Sequence, residues 1–467
     1  MAKHIPLVVD FDGTLHRGDW LHEALLHLLR HGKIRQALGA LAALVRGKAA
    51  FKQAVAKQVH GWQPLWQWNS SVLAALATAK RQGRRIFVAS ATPLPVVQQA
   101  LASHTIKAQV LGSSASTNLR GKAKAQALAT QLKGPFEYWG NAEADLPVWK
   151  QAAAGAIVGG GPLLRWQANR ALPGIKKIPP PQPAWRVWLK ALRPHQWSKN
   201  LLVLVPALLA HFALTPFNWL ALAAAFVAIC ACASGIYMVN DVLDTEADRR
   251  HPHKKNRPCA SGQLPLAAAF IAGIALSAAS IAGLALIHPT AALWLLAYAG
   301  ASLAYSLYFK LLPVIDVTLL AGLYCVRLVL GGVAAGVVLS FWLLLFALFM
   351  FYGLAMAKRY AELIHAGSGR GYLQTEAQLV LMQGTLSTFM SVLVIGLYLH
   401  SPEVNLLYAH PLWLGLLCPL LLVWQGRLWF MVFRGKMTED PIWWALKDGF
   451  SWATAAAVIA VVALCAR

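Results

Sequence analysis

Residues 237–262 read YMVNDVLDTEADRRHPHKKNRPCASG and follow a long apolar run, so acids and bases crowd the end of a stretch that otherwise suits lipid. Charged side chains beside a bilayer are costly and call for a chemical reason. Asn240, Asp244 and Asp248 recur every fourth residue, which on a helix aligns three side-chain oxygens in one stripe. Such a stripe suits a hard divalent cation, and Mg²⁺ is commonly held by one or two carboxylates together with substrate phosphates. Arg249, Arg250, Lys254, Lys255 and Arg257 follow at once, ready to meet a diphosphate whose charge the metal only partly cancels. The stretch reads as a site for Mg²⁺ and a diphosphate at the end of a membrane span.

The rest of the composition agrees. Of 467 residues 58% are hydrophobic and 13% charged, and the mean hydropathy is +0.51, too apolar for a soluble chain of this length. The formal net charge is +24, but the bases are spread between a front part and one set of loops, with no arginine-rich tail. Anionic headgroups and phosphorylated substrates fit this pattern, and nucleic acid does not. The six cysteines show no CxxC pairing, which argues against a disulfide framework or a zinc site. The apolar run in MAKHIPLVVDFDGTL is too short for a signal segment, so the front of the chain is expected to stay in the cytoplasm.

From Ile5 to about Gly161, short β-rich runs alternate with amphipathic helical stretches, the pattern of an α/β domain with a parallel sheet. The first run, IPLVV, ends in Asp10-Phe11-Asp12-Gly13-Thr14, which aims two carboxylates at the crevice above a sheet. LPGIKKIPPPQPAW then reads as a stiff spacer and domain boundary. WRVWLKALRPHQWSKN mixes tryptophans with bases as an interfacial helix does, and Lys199 sits where the chain enters the bilayer.

About nine membrane spans are expected, given that a span needs ~20 apolar residues. They are placed near 200–214, 218–239, 266–287, 291–308, 317–335, 340–357, 379–399, 412–432 and 450–464. Loops after even spans carry Arg249 to Arg257, Lys310, then Lys358, Arg359 and Arg370, then Arg434 and Lys436, whereas loops after odd spans hold no Lys or Arg. The positive-inside rule puts the even loops and the front domain in the cytoplasm and the C-terminus outside. Asp316, Glu362, Asp440, Lys447 and Asp448 fall on the same side. Arg327 lies within a span and is expected to pair inside the bundle, with Asp316 or a substrate phosphate.

NDVLDTEADRRHPHKKNRP resembles the first aspartate motif and basic stretch of the UbiA-type intramembrane prenyltransferase superfamily. LRPHQWSKN, YSLYFKLLPVIDV, CVRLVLGG and AKRYAEL are similar to its decaprenyl-phosphate phosphoribosyltransferase branch, over about residues 186–467. The second DxxxD motif of aromatic prenyltransferases is absent: Asp316 is followed by Leu320. The resemblance implies that Asn240, Asp244 and Asp248 hold Mg²⁺ on a donor diphosphate, with Asp244 and Asp248 essential to catalysis. It makes Lys199, Arg257, Lys310, Lys358 and Arg359 candidates for the donor's phosphates, the donor being phosphoribosyl diphosphate (PRPP) and the acceptor a polyprenyl phosphate. Prenyl transfer from a polyprenyl diphosphate to an aromatic acceptor such as 4-hydroxybenzoate is the alternative. A non-catalytic regulatory or transport protein is the reading from another class.

The front part also has a likeness. DFDGT, a run ending at Ser90, GKAKAQAL with Lys124, and GNAEAD with Asn141 and Asp145 resemble, in that order, the haloacid-dehalogenase-like (HAD) phosphatase superfamily, over roughly residues 1–165. This implies a Rossmann-like α/β fold with a helical cap over Trp20 to about Trp68. Asp10 would be the nucleophile and Asp12 the acid/base, with Ser90 and Lys124 on the phosphoryl oxygens and Asp10, Asp12, Asn141 and Asp145 around Mg²⁺. Asn141 stands where the family usually has an acid. The expected organisation is an α/β HAD-like phosphatase domain over 1–170, a linker over 171–185, and an all-α multi-pass transferase domain of the cell (inner) membrane over 186–467. On this reading the phosphatase removes the 5-phosphate from the transferase's product.

Overall fold

In the computed structural model, which describes residues 5–32, 34–114, 116–210, 214–366, 368–369, 371–401, 404, 408, 410–437 and 441–465, the run Leu7–Val9 forms a central strand, β1. Around it lie β2 (Ile86–Pro93), β3 (Gln109–Ser113), β4 (Glu137–Gly140), β5 (Ala154–Val158) and β6 (Lys176–Ile178). All pairs are parallel, and the order is β3-β2-β1-β4-β5-β6. Successive side chains of a strand point to opposite faces, and β1 obeys this. Leu7 and Val9 join one buried cluster with Val72, Leu76, Val97 and Leu101. Val8 joins another with Leu128, Val148 and Trp149. Both faces are covered, which is why β1 is a continuous apolar run.

Three helices precede β2 with a core of their own: α1 (Trp20–Arg30), α2 (Ile34–Ala42) and α3 (Lys48–Gln58), packed through Trp20, Leu28, Phe51 and Val55. Asp19 starts α1 by accepting from the backbone N–H groups of Leu21 and His22, which satisfies two donors that a helix start leaves open. The remaining helices of this part are α4 (Ser70–Arg81), α5 (Leu94–Ser103), α6 (Lys122–Leu132), α7 (Leu146–Trp149), α8 (Pro162–Ala171) and α9 (Ala184–Leu192).

The chain divides into two compact units that do not follow its order. One comprises Met1–Leu192 with Tyr237–Gly273, the other Arg193–Ile236 with Ile274–Arg467. The expected boundaries need two corrections. Lys176–Ile178, read as part of a coreless spacer over 171–185, pairs with the buried β5 as a sixth strand, and the chain leaves the sheet only at Pro179 to Pro181. The aspartate-rich stretch, assigned to a transferase domain over 186–467, is packed in the first unit.

Seven helices among the described residues are long and apolar enough to cross a membrane: Pro216–Leu243, Leu266–Ile287, Pro289–Leu307, Ile315–Ala335, Phe341–His365, Gln374–Tyr398 and Leu412–Phe433. An eighth arises if Pro441–Lys447 and Gly449–Cys465, bent by 85°, count as one span. The expectation of nine is therefore corrected at its first member. Residues 194–204 wind as a 3₁₀-helix followed by a short helix, α10 (Val205–Leu209), with Pro194 and Pro206 at their starts. Arg370 and Asp440 lie outside the described residues.

This 3₁₀ segment nevertheless runs beside the helix Pro216–Leu243, here α11. Trp197 Nε1 donates to Ser234 Oγ (2.9 Å), and Asn200 Nδ2 to Cys230 Sγ (3.3 Å). Its backbone also touches Gly331, where an added Cβ would lie 2.0 Å from the Val203 carbonyl oxygen, so only glycine permits the approach. A 3₁₀-helix rises about 2.0 Å per residue, so residues 194–209 reach across most of a hydrocarbon layer of ~30 Å. Reporters inserted after Leu192 and after Thr215 are accordingly expected on opposite faces of the membrane. The same face for both would show that this segment does not cross.

Candidate functional site

The stripe of residues 240, 244 and 248 survives a change of helix. α11 ends at Leu243, and α12 (Thr245–Arg250) begins after Asp244, yet the Asp244 N–H donates to the Asn240 carbonyl and the Asp248 N–H to the Asp244 carbonyl, both at 2.8 Å. The i to i−4 register thus passes through the junction. Arg257 closes over it, with Nη1 2.7 Å from Asp248 Oδ2 and 3.2 Å from Asp241 Oδ1. Burial raises the Asp248 carboxyl above its ordinary value, and Arg257 opposes that.

Asn240 Oδ1 is buried and accepts no hydrogen bond. A buried acceptor without a partner costs about 1–3 kcal/mol, so it asks for a donor or a cation. With Asp244 and Asp248 on the same stripe, this is an oxygen set into which Mg²⁺ fits.

Asp10 follows β1 and Asn141 follows β4, neighbouring strands on either side of the sheet's reversal of order, where open α/β sheets bind ligands. Ser90 on β2 and Lys124 in the first turn of α6 complete the group. Lys124 Nζ lies 2.9 Å from Asp10 Oδ1 and 3.2 Å from Asp145 Oδ1. Thr92 Oγ1 and the Trp20 N–H donate to the two oxygens of Asp12, and Ser90 Oγ accepts from the Thr92 N–H at 3.0 Å. Burial pushes the Asp10 carboxyl up to about 7 in spite of Lys124, and raises Asp12 as well. Burial works against the Lys124 charge, but Asp10 and Asp145 outweigh it and hold it above the usual lysine range. Lys124 pairs with Asp10 and Asp145 but not with Asp12, and a divalent cation at Asp10 and Asp12 would balance the negative charge left there. The cleft above them, of about 1140 Å³, is also lined by Lys52, Arg120, Gln182 and Gln263.

Asp145 is not available to a metal as expected. It is 1% exposed, and Oδ1 takes Lys124 and the Tyr138 hydroxyl (2.6 Å) while Oδ2 takes the N–H groups of Asn141 and Ala142, each at 3.1 Å. It positions Lys124 and the turn that carries Asn141. The Asn141 side chain accepts from Thr14 Oγ1 (3.2 Å) and lies against Gly13, where φ is +73° and a Cβ would meet it at 2.0 Å.

Two further corrections fall in the second unit. Arg359, expected on a phosphate, is 1% exposed and spends its guanidinium on Asp316 (2.6 Å), Glu362 (2.6 Å) and the Tyr305 hydroxyl (3.1 Å). Arg327 does not meet Asp316. It bonds Asn200 Oδ1 (3.0 Å), the Tyr298 hydroxyl (2.9 Å) and the Leu323 carbonyl (2.7 Å), with its guanidinium over the Tyr298 ring. Lys199, Lys310 and Lys358 belong to this unit too, and all are partly exposed. Sequence reasoning missed Asp241, Tyr138, Thr92 and Tyr372. The first could have been found, since it stands seven residues before Asp248 on the same helical face.

The model of the UbiA prenyltransferase family matches residues 203–455. The uncharacterized protein y4nM of Sinorhizobium fredii is 32% identical over 460 residues, covering 96% of this chain and 89% of its own, so the likeness runs through the front unit as well. The decaprenyl-phosphate phosphoribosyltransferase of Corynebacterium glutamicum is 40% identical over 250 residues, 50% of this chain and 75% of that one. Among solved structures, a UbiA homologue from Archaeoglobus fulgidus bound to DMAPP and Mg²⁺ is 18% identical, with a TM-score of 0.46 over 59% of this chain and 99% of its own.

The Asp316–Arg359 pair gives a stability test. Arg359→Met leaves a fully buried carboxylate without its ion partner and is expected to cost about 3–5 kcal/mol, read as earlier thermal unfolding in detergent. Adding Asp316→Leu should recover most of that loss. A single variant as stable as the parent would contradict the assignment.

Proposed function

The chain belongs to the UbiA prenyltransferase family, and on that premise we propose that it transfers 5-phosphoribose from PRPP to a polyprenyl phosphate in a Mg²⁺-dependent reaction. The observation that carries this over prenyl transfer is the state of Asp316. It is wholly buried, and its two oxygens are taken by Arg359 and by the Tyr372 hydroxyl (2.8 Å). With Leu320 at the next position of the would-be motif, no second carboxylate pair is offered there to a prenyl diphosphate. The similarity to a decaprenyl-phosphate phosphoribosyltransferase supports the same choice.

Asn240, Asp244 and Asp248 would hold the cation, which when bound neutralises charge on the departing diphosphate. The bond from ribose C1 to the diphosphate oxygen breaks, and a lipid phosphate oxygen forms the new bond at C1. No proton transfer is needed, so the protein's work is positioning. Arg257 orients Asp248, while Lys199, Lys310 and Lys358 are the candidates for the donor's phosphates, the 5-phosphate bringing roughly −1.5 to −2 of additional charge.

The front unit is proposed to act as an HAD-type phosphatase on that 5-phosphate at the cytoplasmic face. Asp10 attacks phosphorus, the sugar oxygen leaves with a proton from Asp12, and water, its proton taken by Asp12, releases phosphate from the aspartyl ester. Lys124, held between Asp10 and Asp145, screens the approach of an anionic nucleophile to an anionic ester.

With full-length protein in lipid nanodiscs, PRPP, a polyprenyl phosphate and Mg²⁺ should yield pyrophosphate. Asp244→Ala and Asp248→Ala should each lower that rate about 100-fold or more. Turnover of a prenyl diphosphate with 4-hydroxybenzoate, with PRPP untouched whatever polyprenyl phosphate is offered, would make the alternative correct.

A further inference from the structure

Helix α1 of the front unit carries Glu23, His27 and Arg30 at i, i+4 and i+7, one face of a helix. That face meets Arg249, Glu246 and Asp244 in reverse order, so α1 lies antiparallel to the segment that bears the aspartate stripe. Glu23 pairs with Arg249 through both oxygens, at 2.7 and 2.8 Å, and also takes His16 Nε2 at 3.2 Å. His27 Nδ1 stands 3.2 Å from Glu246 Oε2. Arg30 Nη1 reaches Asp244 Oδ1 at 2.9 Å and the Leu243 carbonyl at 2.6 Å.

The row is graded in exposure. The Glu23 and Arg249 side chains are 4% and 3% exposed, whereas those of Arg30 and Asp244 are 36% and 23% exposed. Burial raises the Glu23 carboxyl, but His16 and Arg249 overcome it and hold it near 2, so this end remains an ion pair at any physiological pH. The Arg30 end is open to water, where an ion pair exchanges partners at small cost. A cation entering the stripe competes with Arg30 for the Asp244 carboxylate. Arg30, released from it, is a planar five-donor fork suited to a phosphate oxygen.

We propose that Arg30, from the front unit, is a donor-binding residue of the transferase: it holds Asp244 in the ligand-free protein and passes to a phosphate of the donor once a cation takes the carboxylate. This rests on the proposed cation site at Asn240, Asp244 and Asp248. It gives the front unit a part in the first reaction whether or not it hydrolyses the product, and it explains why the aspartate stretch packs with that unit.

The test uses binding, in full-length protein carrying Asp10→Asn and Asp12→Asn to silence the front acid pair. Mn²⁺ is titrated by electron paramagnetic resonance, and inorganic pyrophosphate is titrated in the presence of Mg²⁺ by calorimetry. Arg30→Ala should bind Mn²⁺ up to about 5-fold more tightly without pyrophosphate, the scale of losing an exposed ion-pair competitor, and should bind pyrophosphate more weakly. Arg30→Gln should behave like the alanine variant, and Arg30→Lys should keep part of the pyrophosphate affinity. If Asp244→Asn abolishes Mn²⁺ binding while Arg30→Ala leaves either affinity unchanged, Arg30's role is refuted and the cation site stands. If Asp244→Asn leaves Mn²⁺ binding unchanged, the cation site itself is wrong and the proposal falls with it.

Discussion

Glu23 and Arg249 form a two-pronged ion pair withdrawn from water, and the first unit is built around it. Removing one partner of such a pair leaves an uncompensated buried charge at a cost of about 3–5 kcal/mol, a large fraction of a domain's net stability. The pair therefore fixes the register of α1 against residues 244–249. It also reaches toward the front acids, because His16, which bonds Glu23, belongs to the turn that follows Asp10 and Asp12. The first residue of the basic run after the aspartate stripe and a residue in the loop of the front carboxylates thus share one buried acid.

The membrane bundle handles its charges by the same rule. Arg327 and Arg359 are each surrounded by carboxylate, hydroxyl, amide or carbonyl oxygens, as expected where an unpaired guanidinium would face hydrocarbon. Asp316 becomes a structural acid by this means. A carboxylate tied to an arginine and a tyrosine holds helices together and is withdrawn from metal binding.

The doubly wound sheet was legible because its cues are local: apolar runs ending in acids, separated by amphipathic stretches. The aspartate stripe was legible for the same reason, its period of four being that of a helix. What could not be read is what depends on distant partners. Glu23 and Arg30 find theirs 226 and 214 residues away, and nothing near either residue marks it as more than one polar face of a helix. Arg359 misled because a base following a span usually serves topology or ligand, and only the burial of Asp316 reveals its third use. Lys176–Ile178 was hidden by the prolines beside it, which signal a spacer while β5 recruits the preceding residues. The first span, expected near 200–214 from hydropathy, is replaced by a segment at residues 194–209 whose two prolines and 3₁₀ winding make it a different object from an apolar α-helix.

One chain is proposed to attach a phosphosugar to a lipid phosphate and then to trim it. The most direct measurement is the intact mass of the lipid formed from PRPP and a polyprenyl phosphate by the full-length protein and by its Asp10→Asn variant. The wild type should yield the acceptor extended by one pentose without phosphate, and the variant the same lipid with the 5-phosphate retained. Identical lipid products from the two proteins, or no pentose on the lipid from either, would contradict it.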